Sequence, residues 1–264
     1  MEENEIRDLP PEFNDWVRGK KVALCWANIA RTYSLQDGHG RKTFLKIQAA
    51  GSMESAEMQA RKLMWLQGKI PVPQVLDYGR IGEHEFLLTS EMIGIPASGP
   101  CFQDDAEQIV ELAAKGLRSI HEIPIEHCPF DNRLNRLLET IRSNLENGKI
   151  NHLKLKDRFG IESADDLLHE VESYASEMEE DLVFSHGDYS MPNLLVAEGR
   201  ITGFLDLGNC GVADRYYDLA VAEKSIVMNF GAEYIDLFYT NYGKTDIDRE
   251  KIRFFQIIEC LVWG

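Results

Sequence analysis

Two short polar segments contain the residues whose types and spacing could support catalysis. Asp188 and Asn193 lie 5 positions apart on a predicted loop, and Asp206 follows 18 positions after Asp188, beyond a predicted hairpin. Two carboxylates and an amide placed in this way can orient a hydroxyl nucleophile and hold Mg²⁺ through hard oxygen ligands. Lys46, in an otherwise apolar predicted strand, could bind phosphate groups as a point charge. Together they supply what phosphoryl transfer needs, because that chemistry depends mostly on positioning and on charge neutralisation.

Each of these residues taken alone has a simpler interpretation. An Asp beside a Gly is typical of an ordinary turn, and a strand lysine commonly extends its ammonium group to solvent. His186 is interpreted as a packing and hydrogen-bonding residue of the loop rather than as a base. The order of the set is more specific than its members: a strand lysine, a helix, a Gly/Pro-rich stretch, the segment His-Gly-Asp-x-x-x-x-Asn, a hairpin and Asp-x-Gly.

The first third of the chain is predicted to carry the lysine on a sheet. Ser52 could cap a helix that stops at Gly68. Strands are expected at residues 43–47, 74–79 and 85–89. Glycines and prolines cluster after residue 93, where the charge balance also changes. We therefore place a first lobe at residues 1–93, with a hinge at about 90–93, and a second lobe at 94–264.

The second lobe is predicted to be mostly helical. Apolar residues recur at helical spacing in residues 104–120, 133–145, 164–178 and 217–230. Short strands are expected at residues 182–185, 194–196 and 201–205, the last two joined at Glu198-Gly199. The chain therefore begins with strands and one helix and continues with helices that a hairpin interrupts. This order predicts an α+β chain in two lobes and not a doubly wound sheet.

The charge of the chain narrows the classes of partner. The 264 residues include 28 Lys+Arg and 44 Asp+Glu, which gives a net charge of −16. A general nucleic-acid binder needs a basic face, so that class is disfavoured, and cationic ligands are favoured. Residues 1–93 carry 12 basic and 13 acidic side chains, whereas residues 94–264 carry 16 and 31. The second lobe therefore holds most of the negative charge, although an acidic solvated surface would explain the same imbalance.

Cysteine usage and hydropathy favour the cytoplasm. The 5 cysteines are widely spaced and include no Cys-x-x-Cys pair, which argues against a disulfide framework and against a structural zinc site. The sequence shows no leader-like segment and no apolar run of about 18 residues. We expect a cytoplasmic protein that has no membrane partner.

The chain resembles the aminoglycoside phosphotransferase family, within the wider protein-kinase-like group. The resemblance covers roughly residues 23–261 and rests on residues 64–73 (MWLQGKIPVP), 185–193 (SHGDYSMPN), 203–208 (GFLDLG) and 211–220 (GVADRYYDLA). It is most similar to the enzymes that phosphorylate the 3′-hydroxyl of kanamycin-type aminoglycosides. The resemblance implies a bilobal protein-kinase-like fold, a kinase that uses ATP or GTP with Mg²⁺, and a role in antibiotic resistance.

The resemblance also implies a role for each matching residue. Asp188 matches the catalytic aspartate that accepts the proton of the substrate hydroxyl. Asn193 and Asp206 match the two magnesium ligands, and Lys46 matches the lysine that binds the nucleotide phosphates. Asp218 matches a structural aspartate of the helical lobe.

Several positions of the first lobe concern the nucleotide. The Ser90 carbonyl and the Met92 amide match the hinge groups that bond the adenine. Asn28 stands where the family has a phosphate-contacting serine, in a loop that here contains no glycine. The family pairs its lysine with a helix glutamate 6 residues before the tryptophan, a position that here is Gln59. Either Glu57 serves instead, or Lys46 lacks an ionic partner.

The acceptor side departs furthest from the family. Asn209 stands where an arginine usually follows Asp-x-Gly, and Glu259-Cys260 stands in place of an Asp-Glu pair. Residues 151–158, which match an acidic substrate-covering loop, carry Lys154, Lys156 and Arg158. Three hypotheses remain open: a kinase of an aminoglycoside or other cationic amino-sugar, a kinase of the same fold for another small hydroxyl metabolite, and a nucleotide-binding homologue with little catalysis.

Overall fold

The computed structural model describes residues 9–52, 54–161 and 164–263. The chain forms two compact units. The first comprises the chain up to Gly94 together with Thr202–Gly208, and the second comprises Ile95–Ile201 with Asn209–Gly264. The predicted α+β organisation is confirmed, because the first unit is built on a sheet and the second is mostly helical.

The segment Thr202–Gly208 lies in the first unit, whereas the sequence analysis places it in the second lobe. Its contacts account for this difference. The backbone N–H of Phe204 donates to the Pro71 carbonyl (2.9 Å), and the Thr202 hydroxyl donates to the Ile93 carbonyl (2.5 Å). The hinge at residues 90–93 stays a prediction.

The first unit contains a five-stranded antiparallel sheet. Its strands have the spatial order β1-β2-β3-β5-β4 and are β1 (Lys21–Ala27), β2 (Ala30–Gln36), β3 (Lys42–Ala49), β4 (Val75–Ile81) and β5 (His84–Ser90). Helix α1 (Asn14–Val17) precedes the sheet, and helix α2 (Ala56–Leu66) follows β3.

Strand β3 positions Lys46 by alternation. Leu45 and Ile47 are buried in a core that also includes Phe13. Because successive strand side chains point to opposite faces, Lys46 and Gln48 lie on the other face of the sheet. Gln48 contacts the start of helix α2 there, through a hydrogen bond from its Nε2 to the carbonyl of Glu54 (2.6 Å).

Helix α2 begins later than predicted. Its N-cap is Ser55, whose hydroxyl accepts a hydrogen bond from the Met58 N–H (3.1 Å). Ser52, the predicted cap, donates instead to the Ala49 carbonyl (2.6 Å). Either serine fits the sequence preference for helix caps, and only the path of the chain after β3 distinguishes them.

The second unit contains most of the helices. They are α3 (Ala106–His121), α4 (Leu134–Glu146), α5 (His152–Phe159), α6 (Ala164–Glu177), α7 (Arg215–Asn229), α8 (Ile235–Tyr242) and α9 (Arg249–Trp263). Strand β6 (Ile95–Pro96) pairs with β8 (Leu194–Ala197), and β7 (Leu182–Ser185) pairs with β10 (Gly211–Asp214). Within the described residues, no helix combines the length and apolarity that a bilayer crossing requires.

The predicted hairpin is confirmed. Strand β8 is followed by β9 (Arg200–Phe204), and the two central residues of the turn are Glu198 and Gly199. Their φ angles are 51° and 68°. Positive φ at both central residues is the feature of a type I′ turn, whose twist matches that of the flanking strands.

The segment 151–158, predicted as a substrate-covering loop, is helical instead. It forms helix α5, in which Leu155 is buried. Lys156 and Arg158 are exposed on this helix, and the side chain of Lys154 lies outside the described part of the chain. The apolar pattern of this segment is short, which is why it gave no helix signal.

Candidate active site

A buried aspartate holds the loop that follows β7. The Asp218 carboxylate accepts hydrogen bonds from the backbone N–H groups of His186 (2.7 Å) and Gly187 (2.9 Å). The Nε2 atom of His121 lies 3.1 Å from the same carboxylate. Burial opposes ionisation of Asp218, but the hydrogen bond and charge of His121 and the interactions with His186 outweigh it, so the pKa of Asp218 is lowered. The structural role assigned to this residue fits these contacts.

The glycine of the loop is required by its backbone and by its surroundings. Gly187 has a φ of 81°, a conformation that L side chains rarely adopt. A Cβ at this position would also collide with the carbonyl group of Asn209. The loop can therefore follow this path only with glycine.

Asp188 and Asn193 are brought together within the second unit. The Asn193 Nδ2 donates to the Asp188 Oδ2 (2.9 Å) and to the Asp188 carbonyl (3.0 Å). The first bond holds the carboxyl group and the second holds the backbone of this half-buried residue. His186 is fully buried, and its Nδ1 lies 3.3 Å from the Asp188 amide nitrogen, so His186 shapes the loop as interpreted from the sequence.

Lys46 and Asp206 are brought together within the first unit. The Lys46 Nζ lies 3.3 Å from the Asp206 Oδ1, and the Asp206 side chain is more than half exposed. Asp206 has a φ of 54°, which is uncommon for a residue other than glycine. A backbone in this conformation is retained where the surrounding structure enforces it, and it is frequent at functional sites.

The predicted adenine and phosphate positions lie at the ends of strands. Ser90 ends β5, where its backbone N–H donates to the Gln74 carbonyl (2.9 Å) and its hydroxyl accepts from the Gln74 N–H (2.9 Å). Met92 is half-exposed in the irregular segment that follows β5. Asn28 is exposed in the turn between β1 and β2, and its N–H donates to the Ala30 carbonyl (3.0 Å). Their roles stay predictions.

The predicted acceptor carboxylate is neutralised by two cations of the same unit. The Lys224 Nζ donates to both carboxylate oxygens of Glu259, at 2.8 and 2.9 Å. The Arg158 guanidinium lies 3.8 Å from the same carboxylate. Cys260, the neighbour that stands in place of an acid, is buried on helix α9. The Asn209 carbonyl accepts a hydrogen bond from the Asn132 side chain.

Comparison with known proteins places this arrangement in a family. The sequence model of the phosphotransferase enzyme family matches residues 26–255. The chain belongs to this phosphotransferase family. An aminoglycoside 3′-phosphotransferase of Niallia circulans is 32% identical over 84% of this chain and 85% of its own length. Its counterpart from Streptomyces fradiae is 34% identical over 76% of this chain and 77% of its own length.

Solved structures of aminoglycoside phosphotransferases share the fold. The crystal structure of an aminoglycoside-3′-phosphotransferase of type VIII aligns with a TM-score of 0.83 and 29% identity, over 96% of this chain and 100% of the other. An aminoglycoside phosphotransferase of Streptomyces rimosus, solved with ADP and streptomycin, aligns with a TM-score of 0.77 and 26% identity over 94% of each chain. The protein-kinase-like fold is thereby confirmed, and the protein is a phosphotransferase that acts on a hydroxyl group.

The oxygen donors of the phosphotransferase fit the predicted Mg²⁺. The amide nitrogen of Asn193 faces Asp188, so its amide oxygen is the atom that can coordinate a cation. Asp206 presents an exposed carboxylate. Carboxylate and amide oxygens are the hard ligands that Mg²⁺ takes in kinases.

Sequence reasoning missed one charged group of the phosphotransferase site, Glu54. The Glu54 Oε1 lies 2.5 Å from the Lys62 Nζ, which also donates to the Gly208 carbonyl (2.5 Å). Burial raises the pKa of Glu54, and the positive charges of Lys62 and Lys46 partly offset that effect. The sequence offered one polar signal: Lys62 lies on a buried face of α2 together with Gln59 and Leu66, at i−3 and i+4 spacing.

Glu57 does not provide the missing carboxylate. It is exposed and forms an i,i+4 ion pair with Arg61 (2.7 Å). Gln59 is buried and donates from its Nε2 to the Gln48 Oε1 (3.1 Å) and to the Glu54 carbonyl (3.2 Å). The two alternatives left open by the sequence are therefore replaced by a third: Lys46 pairs with Asp206 and lies within electrostatic reach of Glu54.

Proposed function

We propose that the protein transfers the γ-phosphoryl group of Mg-ATP or Mg-GTP to a hydroxyl group of a cationic amino-sugar, in the manner of an aminoglycoside 3′-phosphotransferase. The observation that carries the proposal is the Asp188 carboxyl group, held at 2.9 Å by Asn193 on a loop that Asp218 anchors. A base for a hydroxyl proton has to be fixed in this way. With an aminoglycoside as acceptor, the reaction would give its host resistance to that antibiotic.

The residues of the chain divide the chemical work. The oxygen of the acceptor hydroxyl bonds to the γ-phosphorus, and Asp188 accepts the proton of that hydroxyl. The bond from the γ-phosphorus to the β,γ-bridging oxygen breaks at the same time and releases the nucleoside diphosphate. Lys46 binds phosphate oxygens as a point charge. Asn193 and Asp206 would hold Mg²⁺, which would supply positive charge to neutralise the phosphates when bound.

The purine of the donor nucleotide is proposed to bind at the segment after β5. The Ser90 carbonyl and the Met92 amide bond the adenine in this proposal, and Asn28 contacts phosphate. ATP and GTP are both retained as donors. A glycine-free turn at Asn28 is stiffer than a glycine-rich one, which predicts donor affinity below that of a typical kinase loop.

The acceptor is proposed to be cationic because the second lobe is acidic. Residues 94–264 carry 31 acidic and 16 basic side chains, which raises the local concentration of a polycation. The relatives named above are aminoglycoside 3′-phosphotransferases. A second candidate, a kinase of a less cationic hydroxyl metabolite, is favoured by Lys224 and Arg158, since both lie against Glu259.

A panel of acceptors tests the proposal and separates its two candidates. Release of ADP or GDP is measured with Mg²⁺ against aminoglycosides, simpler amino-sugars and uncharged small alcohols. We expect the highest kcat/KM with aminoglycosides, with kanamycin-type compounds below the mid-range of enzymes at about 10⁶ M⁻¹s⁻¹, because Glu259 is already paired. Activity restricted to uncharged alcohols would select the second candidate. If no acceptor of any class stimulates the release of ADP or GDP, both candidates are contradicted.

Removal of the Lys224 charge is expected to improve turnover of aminoglycosides. Lys224→Met removes the cation that donates to both Glu259 oxygens and leaves Arg158 at 3.8 Å. One charge-assisted hydrogen bond from the carboxylate to an acceptor ammonium group is worth about 1.5–3 kcal/mol, or at least about tenfold in affinity. We expect kcat/KM for kanamycin to rise about tenfold at low salt and less at high salt, because salt screens charges.

The matched control for this variant is Lys115→Met, which removes an exposed cation from helix α3. It is expected to change kcat/KM less than twofold. If Lys224→Met keeps its melting temperature and yet leaves kcat/KM unchanged or lower, Glu259 has no part in binding the acceptor.

A further inference from the structure

The start of helix α2 contains a buried ion pair whose position the phosphoryl-transfer chemistry described above does not explain. Glu54 precedes the N-cap Ser55, and Lys62 lies two turns further on. Both side chains are largely buried, at 17% and 7% exposure. Removing two charges from water is costly, so a buried pair of this kind needs further partners to be retained.

The further partner of Lys62 is the backbone next to the predicted metal ligand. The Lys62 Nζ donates to the Gly208 carbonyl as well as to Glu54. A Cβ on Gly208 would lie 2.5 Å from the second carboxylate oxygen of Glu54, so this carboxylate lies directly against the turn at residues 206–208. Two residues earlier in that turn, Asp206 pairs with Lys46.

Neutral side chains fix the backbone of Glu54. Its carbonyl accepts hydrogen bonds from Gln48 Nε2 (2.6 Å) and Gln59 Nε2 (3.2 Å). Gln48 comes from the strand that carries Lys46, and Gln59 occupies the helix position where the family has its glutamate. A carboxylate at position 59 would lose the amide N–H that holds Glu54.

We propose that Glu54 and Lys62 are positioning residues that together take the part of the missing helix glutamate: Glu54 supplies the negative charge that orients Lys46, and Lys62 ties Glu54 and helix α2 to the Asp206–Gly208 turn. The proposal rests on the proposed function, because Lys46 and Asp206 serve the phosphate donor there. The carboxylate comes from the residue before the helix cap rather than from the helix itself.

The experiment compares three variants with the native protein. They are Glu54→Gln, Lys62→Met and the double variant, with Glu57→Gln as a control that removes an exposed acid from the same helix. For each, calorimetry gives the Kd of a non-hydrolysable ATP or GTP analogue with Mg²⁺. Thermal unfolding of the nucleotide-free protein gives stability, and steady-state kinetics give KM for the donor and for the acceptor.

We expect Glu54→Gln to raise the donor Kd and the donor KM about tenfold or more, the effect of a lost charge-assisted interaction, while the acceptor KM stays within twofold. Glu57→Gln is expected to match the native protein. Each single variant removes one member of a buried ion pair and keeps the other charge buried, so both should melt lower than the native protein.

The double variant separates positioning from stability. Because it removes both charges, its melting temperature should recover towards the native value, while its donor Kd stays weakened because Lys46 still lacks the carboxylate. Recovery of donor affinity together with stability, or native donor affinity in Glu54→Gln, would overturn the proposal. Failure of the native protein itself to bind either nucleotide would instead contradict the proposed function.

Discussion

Asp188→Asn is expected to lower kcat about 10²–10⁴-fold, the usual contribution of a positioned general base. The substitution keeps the size of the side chain and removes its ability to accept the proton of the acceptor hydroxyl. Asn193 donates to the Asp188 carboxyl at 2.9 Å, and the amide oxygen of the variant can still accept that bond. The effect should therefore appear in the chemical step, with the Kd of the Mg-nucleotide changed less than about threefold.

The control for this variant is Asp246→Asn, which removes an exposed acid from the segment before helix α9. It should turn over acceptor as the native protein does. Single-turnover measurements with saturating nucleotide isolate the chemical step. Retention of more than about a tenth of the native rate by Asp188→Asn would show that Asp188 is not the base.

Asp218→Asn is expected to have the largest effect on stability. The Asp218 carboxylate accepts two backbone N–H bonds and faces His121, and the side chain is fully buried. The amide of the variant would place an N–H donor against backbone N–H groups that themselves donate. Disruption of such a buried charge network lowers the free energy of unfolding by about 3–5 kcal/mol. For a unit of this size, that lowers the melting temperature by roughly 6–20 °C. Because the loop it anchors carries Asp188, turnover should fall as well.

The pH dependence of stability gives this variant a second readout. The pKa of Asp218 is lowered in the folded protein, so its contribution is fully present above the unfolded value near 4 and is lost as the pH falls through the folded value. The difference in melting temperature between the native protein and Asp218→Asn should therefore be constant at neutral pH and shrink below about pH 4. A difference that persists unchanged at lower pH would place the stabilising charge elsewhere.

Local sequence patterns were sufficient to predict most of the fold. The apolar run of β3, the helical period of α3 and the turn at Glu198-Gly199 each depend on residues close together in the chain, and each element is found. The start of α2 was predicted wrongly because a local pattern cannot choose between two good helix caps, Ser52 and Ser55. Which serine caps the helix depends on a hydrogen bond from Gln48 to Glu54 that crosses from strand to helix.

The charged pairs were not predictable, because they join positions far apart in sequence. Lys62 and Gly208 are separated by 146 positions, and Lys224 and Glu259 by 35. The sequence indicated only that Gln59 stands where the family has its helix glutamate and that Glu259 is a candidate acceptor carboxylate. Which cation neutralises which carboxylate follows from the tertiary arrangement alone.

These pairs change the interpretation of the acceptor site. The sequence shows Glu259 without an acidic neighbour, and three cations at 151–158 in a segment that matches an acidic substrate-covering loop. In the structure those residues form helix α5, and Arg158 approaches Glu259 together with Lys224. Acceptor affinity should therefore depend on how readily an acceptor ammonium group displaces Lys224, which is a competition between two cations for one carboxylate.

The proposed reaction is the transfer of a phosphoryl group to an acceptor hydroxyl. Its most direct test is mass spectrometry and ³¹P NMR of the acceptor after incubation of the native protein with Mg²⁺ and ATP or GTP, beside Asp188→Asn. We predict an acceptor heavier by one phosphoryl group, a phosphate-ester resonance and one nucleoside diphosphate per product, all reduced at least a hundredfold in the variant. Native protein that yields no phosphorylated acceptor across aminoglycosides, amino-sugars and small alcohols, or an equal yield from Asp188→Asn, would contradict the account.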